Sequence, residues 1–251
     1  MARSSPLHLG AWLGSATPGT EQPSNLPRFS AQLPLKQPPH LIPFDQLAST
    51  PGRFDAFIFD CDGTLADTMP LHHRAWLAAL GAANAGFDFG WELFVSRAGM
   101  SLERTVLELN QQFETHLDPM TVANAQRAHF ERGLAGVTPI QAVLDFARQA
   151  ALSHPVSVAS GSQRRHVLET LELIGARELF DTVITPADVA HGKPAPDMFL
   201  LAAERMGVAP ERCLVLEDSA LGVVAAANAS MHVVLVPTPT RSSEQLEHEA
   251  S

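Results

Sequence analysis

The stretch FIFDCDGTLAD, residues 57–67, decides how this chain is read. An apolar run, Phe57-Ile58-Phe59, ends in Asp60-Cys61-Asp62 and turns on Gly63. Side chains alternate along an extended segment, so Asp60 and Asp62 project to one side for as long as the chain stays extended. Two like charges held together either face solvent or share a cation. Asp-Gly after an apolar run is also a hairpin signal. Here TLADTMPLHHRAWLAAL (64–80) follows, which reads as loop then helix with no returning strand. A calcium loop counted from Asp60 needs glycine at its sixth place and glutamate at its twelfth. Leu65 and Leu71 stand there, so that alternative fails.

Outward from this stretch, FDAFIF (54–59) reads as a buried strand and TMPLHHRAWLAALGA (68–82) as a helix. Asp67 or Thr68 stands near the helix cap, and Pro70 lies in the first turn. Three helical stretches then follow with no strand between them: WELFVSR (91–97), SLERTVLELNQQF (101–113) and DPMTVANAQRAHFERGL (118–134). Asp118-Pro119 makes a good helix start. From Thr138 the strands return. Helix 139–151 precedes strand 155–160, helix 162–175, strand 181–185, helix 195–207, strand 213–218, helix 219–229 and strand 232–237. Strands alternating with helices predict an α/β fold, a Rossmann-like parallel sheet with helices on both faces. The helix-only segment predicts an inserted helical domain. The expected division is a core of 53–69 and 137–240 with an insert of 70–136. Residues 1–50 hold eight of the 19 prolines, and residues 1–52 show no helical or strand period, so 1–52 read as a disordered or loosely packed extension. Residues 241–251 read as a polar, frayed tail.

The composition excludes some functions. The net charge of -10, from 17 basic and 27 acidic residues, argues against nucleic acid held on a basic face. No apolar stretch approaches the ~18 residues of a membrane span, and LHLGAWLG (7–14) is too short and broken for a signal peptide. Only two cysteines occur, Cys61 and Cys213, each in an apolar run, which predicts buried thiols in a reducing compartment. Of the 17 basic residues only Lys36 and Lys193 are lysine. The folded body is therefore expected to hold a single lysine, in HGKPAPDMF (191–199), and that position asks for a specific reason.

Three strands end in polar groups. The first ends in Asp60-Cys61-Asp62, the second in Ser160-Gly161-Ser162, and a third in Glu217-Asp218-Ser219. Ligands of open α/β sheets bind beyond the carboxyl ends of the strands. If these strands are neighbours, four carboxylates converge there with hydroxyls and a glycine. Packed without a cation, such carboxylates shift their pKa values or push the site apart. Magnesium suits this set, since it takes carboxylates together with substrate phosphate oxygens.

With Asp60-Cys61-Asp62-Gly63-Thr64, Ser160, Lys193 in GKPAPDMF and Glu217-Asp218 in LEDSALG, in that order and spacing, the chain resembles the haloacid dehalogenase superfamily of phosphotransferases over about residues 54–237. The insert is similar to the helical cap of the family's first subclass. TMPLHHRAW and GMSLERT are similar to segments of its beta-phosphoglucomutase and sugar-phosphatase branch. The resemblance implies a phosphatase of a small phosphorylated metabolite, such as a sugar phosphate, acting through an aspartyl-phosphate. Asp60 would be the nucleophile, and Asp62 a general acid and base able to stay protonated. Lys193 and Ser160 would neutralise the phosphoryl oxygens. Magnesium would be held by Asp60, the backbone carbonyl of Asp62, Asp218 and Glu217. Gly161, Ser162, His72, Gly99 and Ser101 are the candidate substrate contacts, and Trp76 is expected to be core. The other reading is a sugar phosphomutase. A mutase needs a second phosphate site in the cap, with an arginine where this chain has Leu102; Arg97 or Arg127 could compensate. The expected protein is a cytoplasmic monomer with a small-molecule substrate and neither nucleic acid nor membrane as partner.

Overall fold

The computed structural model describes residue 35 and residues 37–237. The polar tail and most of the proline-rich leader, Lys36 included, lie outside the described residues.

Six strands form one parallel sheet: β1 (His40–Ile42), β2 (Ala56–Phe59), β3 (Val156–Ala159), β4 (Thr182–Ile184), β5 (Cys213–Glu217) and β6 (His232–Leu235). Their order is β1-β6-β5-β2-β3-β4. β2 thus lies between β5 and β3, with Phe59 facing Leu216 on one side and Val158 on the other. Alternation divides the core. Phe57, Phe59, Leu214 and Leu216 enter one apolar layer, while Ala56, Ile58, Cys213 and Val215 enter the other. Both cysteines are buried and free, as their apolar settings predicted.

Eight helices are described: α1 (Met69–Ala82), α2 (Trp91–Val95), α3 (Leu102–Phe113), α4 (Pro119–Gly133), α5 (Gln141–Ala151), α6 (Arg164–Leu173), α7 (Asp197–Met206) and α8 (Ala220–Asn228). Asp118 caps α4, its carboxylate accepting from the Thr121 amide at 2.8 Å. α1 to α3 and the start of α4 enclose an apolar cluster of their own, with Met69, Trp76, Leu80, Phe89, Phe94, Val106, Leu109 and Val122. α1 and α4 also touch directly. A Cβ on Gly133 would come 2.3 Å from Leu71 Cδ1, so a larger residue there would make the Leu71 side chain move. The two chain crossings between this bundle and the sheet run side by side. Ala66 bridges Pro139 in antiparallel fashion, the Asp67 amide donates to Thr138 at 2.9 Å, and the Ile140 amide donates to Leu65 at 2.9 Å.

The reading of residues 1–52 as a loose extension is corrected over 40–52. His40–Ile42 is an edge strand paired in parallel with β6, and Ile42 and Leu47 are buried in the core. Three residues between prolines are too few to show an alternation, and proline is tolerated at a sheet edge, where an amide can go unused.

Candidate active site

Three neighbouring strands deliver the polar groups to one edge. The β2 ladder continues into the site through the Asp60 amide, which donates to Leu216 at 2.9 Å; beside it the Ser160 amide donates to Ile184 at 3.0 Å. After Asp60 the chain folds tightly, with the Leu65 amide on Cys61 at 3.0 Å and the Gly63 amide on Ala66 at 2.8 Å. Gly63 has φ +79°, and a Cβ there would lie 2.1 Å from an Asp218 oxygen. Gly222 in α8 has the same role for Glu217, since its Cβ would lie 1.8 Å from Oε1. Glycine at both places lets backbone and carboxylate approach.

Lys193 joins the strand ends. Its Nζ donates to Asp60 Oδ1 and to Glu217 Oε1, each at 2.6 Å, and all three side chains are buried. Asp60, Glu217 and Asp218 each offer an oxygen within 4.8 Å of the others. Three carboxylates against one ammonium leave two negative charges, which one divalent cation would balance. All the donors are hard oxygens, as magnesium prefers. The pKa values record that missing charge. Burial pushes Asp60 up to about 8; Lys193 opposes the rise, and Glu217 and Asp62 add to it. Asp218 is likewise raised, by burial and then by Glu217 and Asp60. Burial works against the charged form of Lys193, but Asp60 and Glu217 outweigh it and hold its pKa above the ordinary value.

Asp62 belongs to a different group of contacts. Its Oδ1 accepts from Thr68 Oγ1 at 2.8 Å and lies 3.4 Å from His72 Nε2. Its Oδ2 accepts from Ser162 Oγ at 2.6 Å, with Ser160 Oγ at 3.5 Å. The expectation that Asp62 stays protonated is corrected. Burial raises its pKa, but hydrogen bonds from His72, Ser162 and Thr68 more than offset that and hold it below the usual carboxylate range. Its carboxylate is also outside the three-membered oxygen cluster, so only its backbone carbonyl is a candidate for a metal. Thr68 occupies the cap position of α1 without capping it, because its hydroxyl serves Asp62.

A cavity of about 270 Å³ opens over these groups, at the small end for ligand pockets. The structure brings His72, Gly99, Ser101, Gly161 and Ser162 to its wall beside Asp60, Asp62 and Ser160. Leu102, where a mutase would carry arginine, lines it too. Trp76 is buried in the helical core, as expected, and one edge of it reaches the cavity. His191 is exposed and pairs with Asp197 at 3.0 Å. Arg164 pairs with Asp188 at 2.6 Å, and Arg165 with Glu131. Sequence reasoning missed Glu103, Gln126, Phe130 and His166 in the cavity wall. A signal existed for one of them. Val122, Gln126 and Phe130 recur four apart, so Gln126 is a polar residue in an apolar helical stripe, and it is buried. Its Nε2 lies 3.2 Å from His72 Nδ1.

A parallel sheet with carboxylates gathered at a strand edge where the order reverses places the chain among the α/β enzymes that act at such a switch point. The chain belongs to the haloacid dehalogenase-like hydrolases, whose sequence profile matches residues 54–230, and within them to the beta-phosphoglucomutase and sugar-phosphatase branch. It is 34% identical over 185 residues to fructose-1-phosphate phosphatase YqaB of Escherichia coli, covering 72% of this chain and 96% of that protein. It is 30% identical over 197 residues to hexitol phosphatase A of the same organism, covering 74% and 85%. Among solved structures, CbbY from Rhodobacter sphaeroides in complex with xylulose-1,5-bisphosphate is similar with a TM-score of 0.65 and 25% identity, over 73% of this chain and 86% of that one. The chain is an enzyme, a phosphatase of this family.

Proposed function

We propose that the chain is a magnesium-dependent phosphatase of a small sugar or polyol monophosphate and that it works through a phosphorylated Asp60. The observation that carries this reading is Lys193 held at 2.6 Å from both Asp60 and Glu217, with Asp218 beside them. Asp60 attacks phosphorus as the bond to the leaving oxygen breaks, and the phosphoryl group passes to its carboxylate. Asp62 carries a proton to the departing alkoxide, which requires it to be protonated once substrate is bound although its partners hold it ionised without substrate. His72 Nε2 lies 3.4 Å from its Oδ1. Water then attacks the phosphorus, Asp60 leaves, and Asp62 takes the proton of the water. The ionised state that its partners enforce suits this second step. Lys193 and the hydroxyls of Ser160 and Ser162 steady the phosphoryl oxygens. Magnesium, held by Asp60, Asp218, Glu217 and the Asp62 carbonyl, would supply the remaining positive charge. The bundle of α1 to α4 acts as a cap that shields the first transfer from bulk water and opens to admit the water of the second step.

The relatives differ in what their names state. One Escherichia coli enzyme is named for fructose 1-phosphate and the other as a hexitol phosphatase, and the CbbY structure contains a bisphosphate. For this chain the cap favours the monophosphate, and with it hydrolysis over the mutase reaction, because Leu102 is apolar and the two arginines that line the cavity are held by hydrogen bonds within the bundle. Arg127 is bound to Glu103 and Asn124, and Arg97 to Leu93, Ser96 and Gln112. Phosphate release from fructose 1-phosphate and from hexitol phosphates, with magnesium and with chelator, tests the reading. Supplying beta-glucose 1-phosphate with a trace of the 1,6-bisphosphate tests the mutase. Faster formation of glucose 6-phosphate than of free phosphate would reverse the preference. We further propose a cytoplasmic monomer, which sedimentation and cell fractionation test; among the described residues no helix is long and apolar enough to cross a membrane.

A further inference from the structure

The roof of the cavity contains an ion pair that the proposed reaction does not use. Glu103, in the first turn of α3, binds the Arg127 guanidinium of α4, and both residues line the same cavity as Asp60 and Asp62. The two side chains are 32% and 19% exposed, so the pair is largely withdrawn from bulk solvent and its attraction is only weakly screened. The Arg127 guanidinium is further fixed by Asn124 Oδ1 at 2.9 Å. The other arginine of the lining, Arg97, donates to the Leu93 carbonyl at 3.2 Å, to Ser96 Oγ at 2.9 Å and to Gln112. Arg127 is thus neutralised by Glu103, whereas Arg97 is held by neutral acceptors and its buried Nε has no partner among the described residues. The lining carboxylates are Asp60, Asp62, Glu103, Glu217 and Asp218. On the wall opposite the strand ends Glu103 cancels the charge of Arg127, so a second anionic group on a substrate would find, among the described residues, Arg97 as the one remaining cation and Glu103 as a like charge. A hydroxyl would meet acceptors and neutral donors there: Glu103, Gln126, Ser101 and Thr105.

We infer that Glu103 is a specificity-determining residue, which by occupying Arg127 restricts the cavity to monophosphates with a neutral, hydroxylated distal end. This rests on the phosphatase reading for the site at the strand ends, but it concerns the opposite wall. Glu103 does two things at once. It removes the cation that a distal phosphate would need as a charge-assisted partner, and it places a like charge where that phosphate would sit. Removing the carboxylate reverses both effects and frees the guanidinium of a residue that lines the cavity. Selection of this kind works by repulsion as much as by attraction.

The test compares binding of fructose 1-phosphate and fructose 1,6-bisphosphate by calorimetry in magnesium buffer. It uses an Asp60→Asn background, so that affinity is read without turnover. In Glu103→Gln the preference for bisphosphate over monophosphate should rise on the order of tenfold, the worth of one charge-assisted hydrogen bond to a freed guanidinium. In Glu103→Gln/Arg127→Gln that gain should vanish. If Glu103→Gln does not fold, Glu103→Ala carries the same expectation, since alanine suits a helix interior. An unchanged or lower ratio in the single variant, or a gain that survives in the double variant, overturns the inference. Binding of neither ligand to any variant overturns the assigned substrate class. Phosphate release by the unaltered enzyme reports separately on the reaction, so the two readings fail in different assays.

Discussion

Replacing Lys193 by methionine removes one charge and keeps most of the side-chain volume. In the structure its ammonium lies 2.6 Å from Asp60 and 2.6 Å from Glu217, 1% exposed, with Asp218 in the same cluster. Removing one partner from a buried ion pair typically costs about 3–5 kcal/mol, because the other charge is left uncompensated. Here two carboxylates lose their partner. Proton uptake is their main escape, so the lower half of that range, about 3 kcal/mol, is the expected loss without metal. For a domain of this size each kcal/mol moves the midpoint by ~2–4 °C, so Tm should fall by roughly 6–12 °C. Thermal unfolding followed by circular dichroism in chelator measures this. Magnesium should restore more stability to Lys193→Met than it adds to the unaltered protein, because the cation supplies the missing charge. Lys193→Arg keeps the charge but brings a planar fork on a longer stem, so it should lose turnover while retaining more stability than the methionine variant. A Lys193→Met protein within about 1 kcal/mol of the original in chelator would refute the claim that this lysine holds the carboxylate cluster together.

Further expectations follow from the same geometry. Asp60 has a folded pKa of about 8 against an ordinary 3.8, so between those values the metal-free folded state holds more protons than the unfolded one and loses stability as pH rises. A bound cation needs the ionised carboxylate, so the stabilisation added by magnesium should grow from about pH 6 to about pH 8; a flat profile would remove Asp60 from the ligand set. Gly99 has φ +86°, and a Cβ there would stand 2.9 Å from Ser219 Oγ, so Gly99→Ala should hold the cap loop off the core and lower kcat/KM about tenfold, a barrier of ~1.4 kcal/mol. Glu131 on α4 reaches His166 Nε2 of α6 at 2.8 Å, and also Arg165, across the junction of bundle and sheet. Glu131→Gln should therefore raise KM more than it lowers kcat, and steady-state kinetics would show the opposite if the contact were idle.

Much of the sheet was legible in the sequence because most of its strands are short apolar runs that alternate with helices. The site was legible because Asp60, Ser160 and Glu217 each end such a run, and strand order then makes them neighbours. Lys193 was legible through rarity, as a lysine in a chain that otherwise uses arginine. Other features depend on tertiary contact and leave little trace. β1 is three residues between prolines, and its membership of the sheet shows only in the pairing of His40, Leu41 and Ile42 with His232, Val233 and Val234. The protonation of Asp62 was misjudged because the Asp-x-Asp spacing says nothing of Thr68, Ser162 and His72, which converge on it from a loop and a helix. The commitment of Arg127 to Glu103, 24 positions away, was likewise invisible, since nothing in either helix pattern names the partner.

The central claim is that a phosphoryl group passes through Asp60, and an Asp62→Asn variant tests it most directly. With para-nitrophenyl phosphate the leaving group needs no proton, so the first step should proceed, whereas the amide cannot take the proton of the attacking water. Mixed rapidly with magnesium and this substrate, the variant should release a burst of nitrophenol equal to the enzyme present. Intact-protein mass should rise by one phosphoryl group, and borohydride reduction followed by peptide mapping should locate it at Asp60. A burst with the label on another residue, or phosphate release with no labelled protein at any time, would contradict the account.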